Sequence, residues 1–174
     1  MLVQIYEVAT PEEAAALSRL GVDHIGVLVG DGAFPRELPA AQDFTPAMLH
    51  RLKLLVPEIA IMRAVAIVDE TALDIARSYL GVADFLLCDS YDRATGQFGA
   101  LGRTHDWRLS RRIVEEVGIP AILAGGLGPA NVAAAIAAVR PTGVDSKTLT
   151  DRADGTGKDL DKVRQFVAAA AVTR

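Results

Sequence analysis

Charged and hydroxyl side chains recur just after apolar runs in this sequence. Tyr6 and Glu7 follow Leu2 to Ile5, Arg36 follows the second run, and Asp89 closes Phe85-Leu86-Leu87-Cys88. Asp145, Lys147 and Thr148 end the run that begins at Thr142. A carboxyl group among apolar neighbours is a general acid–base candidate, because the charged form is disfavoured and the pKa rises. Asp89 is therefore the candidate acid. A desolvated lysine at Lys147 could form an imine with a carbonyl; the same side chain could instead contact a phosphate. The stretch "AILAGGLGPANV", residues 121 to 132, strips its backbone bare at Gly125 and Gly126 where an apolar run gives way to a helix. Bare amides at a helix N-terminus suit a phosphate. On that reading, Gly126→Val weakens sugar-phosphate binding and leaves the fold largely intact. His105-Asp106 is read as a helix cap before a catalytic pair. Glu7, Asp31 and Asp89 are hard oxygen ligands, but their spacing matches no metal motif. No metal and no cofactor are expected.

The elements that must position these residues alternate along the chain. Buried strands are expected at Leu2–Val8, His24–Val29, Ile61–Val68, Ala83–Cys88, Ala121–Ala124 and Thr142–Asp145, since their apolar residues run on without alternation. Helices fall between them. Thr10-Pro11-Glu12-Glu13 reads as a capping box, with its helix ending near Leu20. Others are expected from Thr45-Pro46 to about Val56, Asp69 to Leu80, Thr104 or Asp106 to Gly118, Pro129 to near Pro141, and Lys158 to Val172. Pro129 suits a first helical position, where its missing N–H costs nothing. Such alternation implies an α/β fold with a parallel sheet, open or closed as a barrel. The active site then lies at the carboxyl ends of the strands.

The chain has 174 residues and a net charge of −4. Its length suits one domain, residues 1–174, with a sizeable core, and no linker-like segment divides it. Nucleic acid is not an expected partner, because no basic footprint exists. No apolar run approaches the roughly 18 residues of a membrane span. Cys88 is the single cysteine, which excludes an internal disulfide. Cytoplasmic residence is the expectation.

Three stretches resemble the phosphoribosylanthranilate isomerase family, (βα)8 barrels of tryptophan biosynthesis. "ILAGGLGPANVAAAIAAVRPTGVD" followed by "GTGKDLDKVRQFV" is similar to that family's last two βα units. "ADFLLCDSY" with "GRTHDW" resembles the segment bearing its catalytic aspartate, and "VQIYEVATPEEA" with "HIGVLV" and "FPRELP" resembles its first two units. The resemblance implies an Amadori rearrangement of a small phosphorylated substrate. A general acid opens the ribose ring and a general base moves a proton from C2. It implies Asp89 as the acid, Arg36 as the partner of the anthranilate carboxylate, and Gly125 and Gly126 as part of a phosphate cradle.

The chain departs from that pattern in three places. Tyr6 replaces the family's base cysteine, and a phenol, with a pKa near ~10, is a poor base at neutral pH. Glu7 has better chemistry, but strand alternation turns it away from the direction shared by Gln4 and Tyr6. Lys147-Thr148-Leu149 stands where the family has Ser-Ser-Gly, placing leucine at a phosphate-binding glycine. The length leaves room for about six strands, because compact eight-unit barrels start at roughly 200 residues. The expected fold is a shortened TIM-barrel-like domain whose uncovered edges favour a homodimer. The alternatives are an imine-forming lyase using Lys147 and a non-catalytic sugar-phosphate-binding or assembly protein.

Overall fold

A computed structural model describes residues 1–6, 13, 16–17, 19–25, 28–30, 37–39, 46–55, 60–97 and 99–172. Glu7, Asp31 and Arg36 lie outside the described residues, as do Thr10 to Glu12 of the expected capping box. Six strands form one sheet: β1 (Leu2–Ile5), β2 (His24–Ile25), β5 (Met62–Ala66), β6 (Phe85–Asp89), β7 (Ala121–Leu123) and β8 (Gly143–Ser146). Their spatial order is β2-β1-β8-β7-β6-β5, and every pairing is parallel. Two further strands, β3 (Leu28–Gly30) and β4 (Glu37–Pro39), pair only with each other. The expected run from His24 to Val29 is thus divided between two sheets, and β4 was not anticipated. The remaining elements are α1 (Pro46–Leu55), α2 (Thr71–Arg77), α3 (Trp107–Glu116), α4 (Val132–Val139) and α5 (Leu160–Ala171), with a 3-10 turn at Thr148–Thr150.

The sheet curls. β2 and β6 stand four strands apart in the sheet order. In a flat sheet that separation would be about 19 Å, at roughly 4.8 Å per strand. Yet the His24 and Phe85 rings meet edge to face with centroids 6.0 Å apart. Rolling of the sheet toward a barrel brings them together, and it gathers the side chains of one sheet face around an enclosed space.

The opposite face packs against helices. Val3, Ile5, Leu86, Cys88 and Val144 point there and are buried. α4 meets them through Val132, Ala135, Ile136 and Val139, whose spacing draws a single stripe along a helix. α3 contributes Leu109 and Ile113, one turn apart. α5 contributes Val163, Phe166 and Ala170. Burying one such side chain stabilises the fold by about 1.5–3 kcal/mol, so this interface fixes the sheet on which the site is built.

Local signals set the helix starts. Asp106 caps α3 by accepting from the Arg108 amide at 2.9 Å. Asp159 caps α5 by accepting from the Asp161 and Lys162 amides. At α4 the structure corrects the expectation. The helix begins at Val132, and Gly128-Pro129-Ala130-Asn131 forms a turn before it. Asn131 stabilises that turn instead of capping the helix. Its Oδ1 accepts from the Gly128 amide, and its Nδ2 donates to the Gly126 carbonyl, both at 2.8 Å.

Candidate active site

Register and alternation bring the two central carboxylates to one level. Cys88 pairs with Leu123, and Leu123 with Val144. The next residues, Asp89, Ala124 and Asp145, therefore form one row at the carboxyl ends of β6, β7 and β8. The Ala124 amide donates to the Cys88 carbonyl at 2.8 Å, which continues the ladder to that row. Cys88 and Val144 turn to the helices, so Asp89 and Asp145 turn inward. Both line a cavity of about 600 Å³ together with Tyr6, Gly125, Gly126, Lys147 and Thr148. Seven of the nine residues singled out from the sequence thus share one cavity. The other two, Glu7 and Arg36, fall outside the described residues.

Asp89 is 9% exposed. Its Oδ1 accepts from the Ser90 amide at 2.7 Å and from the Ser90 hydroxyl at 3.3 Å. Burial raises its pKa against those two hydrogen bonds. Gly99, at φ +66°, crosses the carboxylate so closely that a Cβ there would lie 2.5 Å from Asp89 Oδ2. Only glycine can pass there without displacing the carboxylate. The Gly99 amide donates to the Ser90 carbonyl at 2.8 Å and holds the crossing in place.

Asp145 is 5% exposed, and its Oδ1 has no hydrogen-bond partner among the described residues. Its pKa rises to about 7, first through burial and then through the negative charge of Asp89; a hydrogen bond from Gln4 and the charge of Lys158 oppose the rise. Gln4 is the direct cross-strand partner of Asp145. It is buried on the inward face that alternation assigned to it. Two desolvated carboxyl groups that repel each other's charge tend to keep a proton between them. One can donate while the other accepts.

The double glycine has a different neighbour from the one expected. A Cβ on Gly126 would lie 2.5 Å from the Arg103 carbonyl carbon and 2.8 Å from the Thr104 nitrogen. A Cβ on Gly125 would lie 2.9 Å from His105 Nδ1 and 3.2 Å from Asp89 Oδ1. Both residues have positive φ, at +82° for Gly125 and +60° for Gly126. The segment 103–105 and the Asp89 carboxylate therefore demand these glycines. The expectation that Gly126→Val spares the fold is overturned, because valine would collide with backbone. Both glycines still border the cavity.

The far wall is the turn after β8. Thr148 Oγ1 donates to the Ala100 carbonyl at 3.2 Å, which draws the 99–102 and 147–149 segments together. Leu149 leans on Gly128, where a Cβ would meet its own Cβ at 2.8 Å. Lys147 Nζ stands 3.7 Å from Asp151 Oδ2. A side chain that keeps some solvent access and faces a carboxylate is not the desolvated amine that imine formation calls for, which disfavours the lyase reading. His105 lies behind the glycines. Burial lowers its pKa to about 4, and its Nε2 and Ser110 Oγ are 2.6 Å apart. It is a neutral packing residue next to the cap Asp106. Among the described residues no group of three His, Cys, Asp or Glu side chains could hold a metal. No helix of the described residues is long and apolar enough to cross a membrane.

Sequence reasoning did not single out Gly99, which lines this cavity. It placed Asp145 among the binding residues, and the structure buries that carboxyl at the cavity. No local signal distinguishes Gly99 from a turn glycine, since its role comes from a strand-end carboxylate ten residues earlier.

Comparison with known proteins agrees with this geometry. Residues 48–169 match the family model described as N-(5'-phosphoribosyl)anthranilate (PRA) isomerase. The N-(5'-phosphoribosyl)anthranilate isomerase of Methanocella arvoryzae is 33% identical over 99% of each chain. That alignment spans 214 positions against 174 residues here, so gaps in this chain take up about 40 of them. The Haloferax volcanii relative is 44% identical over 63% of this chain, and the match spans 48% of that relative's length. Among solved structures, N-(5'-phosphoribosyl)anthranilate isomerase from Pyrococcus furiosus superposes with a TM-score of 0.76 at 21% identity, covering 99% of both chains. A phosphoribosyl anthranilate isomerase in complex with reduced 1-(o-carboxyphenylamino)-1-deoxyribulose 5-phosphate superposes with a TM-score of 0.68 at 19% identity, covering 99% of this chain and 100% of that one. The parallel curled sheet, the strand-end carboxylates and the matched segment agree: this chain belongs to the phosphoribosylanthranilate isomerase family, the isomerases of tryptophan biosynthesis.

Proposed function

We propose that the chain isomerises N-(5'-phosphoribosyl)anthranilate, or a close phosphoribosyl arylamine, by an Amadori rearrangement at the Asp89–Asp145 pair. One observation carries this reading: two buried carboxyl groups border the same cavity, one of them with a pKa raised to about 7. Asp89 acts as the acid. It gives its proton to the ribose ring oxygen as the C1–O bond breaks, and the nitrogen lone pair forms the C1=N bond of the iminium. Asp145 acts as the base that removes the C2 proton, which yields the enolamine and then the ketone. A base poised near the working pH is effective in such a transfer. This assignment supplies the base that neither Tyr6 nor Glu7 offers convincingly. Tyr6 borders the cavity beside the pair and shapes the aryl end.

The substrate's phosphate is taken between the Gly125–Gly126 segment, Lys147 and Thr148, all of which line the cavity. Arg36 is the partner for the anthranilate carboxylate, on the resemblance of its Pro-Arg segment. The chain works as one domain in the cytoplasm and as a homodimer. Sedimentation at micromolar concentration tests the last point, and a monomer throughout would refute it. Purified protein with N-(5'-phosphoribosyl)anthranilate tests the reaction. Turnover that falls at least a hundredfold in Asp89→Asn and in Asp145→Asn is expected, the low end of general acid–base contributions. Binding of the substrate without turnover in the wild type would favour the non-catalytic alternative.

A further inference from the structure

Lys158 is a charged side chain with no access to solvent. The residue is 1% exposed, and its side chain is fully buried. Burying an ammonium is costly unless partners surround it. The partners here come from the turn that forms the far wall of the cavity. Nζ donates to Asp151 Oδ1 at 2.6 Å and to the Lys147 carbonyl at 3.1 Å. Asp151 turns its other oxygen toward Lys147 Nζ at 3.7 Å. Backbone bonds reinforce the clamp. Asp151 and Lys158 form an isolated antiparallel bridge, and the Asp159 amide donates to the Thr150 carbonyl at 2.8 Å. The Lys158 amide is itself held by Glu13 Oε1 at 2.7 Å.

We infer that Lys158 is a positioning residue of the site: its buried ammonium ties the 147–151 segment to the start of α5, and so fixes where Lys147 stands and keeps a positive charge behind Asp145. The inference rests on the assignment of Asp145 as a proton-transfer group. Among the described residues, the charged groups that act on that carboxyl are Asp89 from β6 and Lys158, and Tyr6 from the end of β1 and Lys147 from the turn line the same cavity. Glu13 faces the backbone of Lys158. Asp89 favours the protonated form of Asp145, whereas Lys158 favours the carboxylate. The positive charge of the lysine thereby opposes the rise that burial and Asp89 impose on that carboxyl. A purely structural clamp would hold the turn but would have no effect on that balance.

The test is a pH titration of Asp145 by carbon-13 NMR of aspartate side-chain carboxyls, with Asp145→Asn identifying the signal. The Asp145 midpoint is expected to rise by up to about one pH unit in Lys158→Met, the scale of a lost opposite charge. Lys158→Met/Asp151→Asn removes both members of the buried pair together and so avoids an orphaned carboxylate. It covers the case in which the single variant does not fold, and a smaller upward move is expected, because the negative charge of Asp151 leaves with the positive one. An unmoved or lowered midpoint in the folded variant overturns the inference. A raised midpoint in a protein that never turns over N-(5'-phosphoribosyl)anthranilate would sink the proposed reaction and leave the inference standing. Turnover in the wild type with an unmoved midpoint would do the reverse.

Discussion

Replacing Asp145 by asparagine separates the cost of this carboxyl from its use. In the folded protein its pKa is about 7, against roughly 3.9 in an unfolded chain. The folded state therefore holds a proton that the unfolded state releases across that interval. The stability this proton confers is present at low pH and is lost as pH climbs from about 4 to about 7. Linkage over those two values gives a loss of about 2–3 kcal/mol between pH 5 and pH 8. The substituted amide would be neutral throughout and would remain near Gln4. Urea unfolding of wild type and variant at pH 5 and pH 8 reads the difference directly. The wild type should lose about 2–3 kcal/mol more than Asp145→Asn over that interval. His105, whose pKa falls to about 4 in the fold, contributes the opposite trend between about 4 and 6.5, where the unfolded chain takes up a proton. That contribution is common to both proteins and cancels. The variant should be the more stable protein at pH 8 and the far poorer catalyst. Identical pH dependence in the two proteins would refute the claim that Asp145 is buried and protonated, and the base assignment would fall with it.

Asp89→Asn should keep the fold, since an amide oxygen can still accept from Ser90, while turnover falls at least a hundredfold; retained turnover would make Asp89 a loop cap only. Gly126→Val should destabilise by roughly 1–3 kcal/mol, because the positive φ and the Arg103–Thr104 backbone leave no room for a side chain; unchanged thermal unfolding would contradict the close approach. Gly99→Ala should cost activity more than stability, since its Cβ would press on Asp89 Oδ2 and the loop that carries it is exposed at Ala100; kcat unaffected at equal stability would remove Gly99 from the site. Asp159→Ala should lower stability by about 1 kcal/mol through loss of the α5 cap, measured by denaturant unfolding, and no change would mean that the Asp161 and Lys162 amides find water equally well.

The alternation of apolar runs and helical segments is a local property, and it made the parallel α/β architecture legible from the sequence. Strand ends were legible for the same reason, so Tyr6, Asp89, Gly125, Gly126, Asp145, Lys147 and Thr148 could be assigned to one rim. Helix starts at Asp106 and near Lys158 were legible because a capping side chain acts on amides two or three residues away. What the tertiary structure decided depends on partners distant in sequence. The identity of the neighbour above Gly126 is one case. The sequence marks a bare backbone, but only the packing shows that the 103–105 segment takes the place of a Gly126 side chain while both glycines still border the cavity. The state of Asp145 is another. A carboxylate after an apolar run can be solvated or buried, and here burial and then the Asp89 charge raise its pKa to about 7 against the hydrogen bond from Gln4. Lys158 is the third. Lysine is ordinarily a surface residue, and nothing local distinguishes this one. Its burial follows from the meeting of the turn after β8 with the start of α5, which the sheet and its helices bring about only once they have packed.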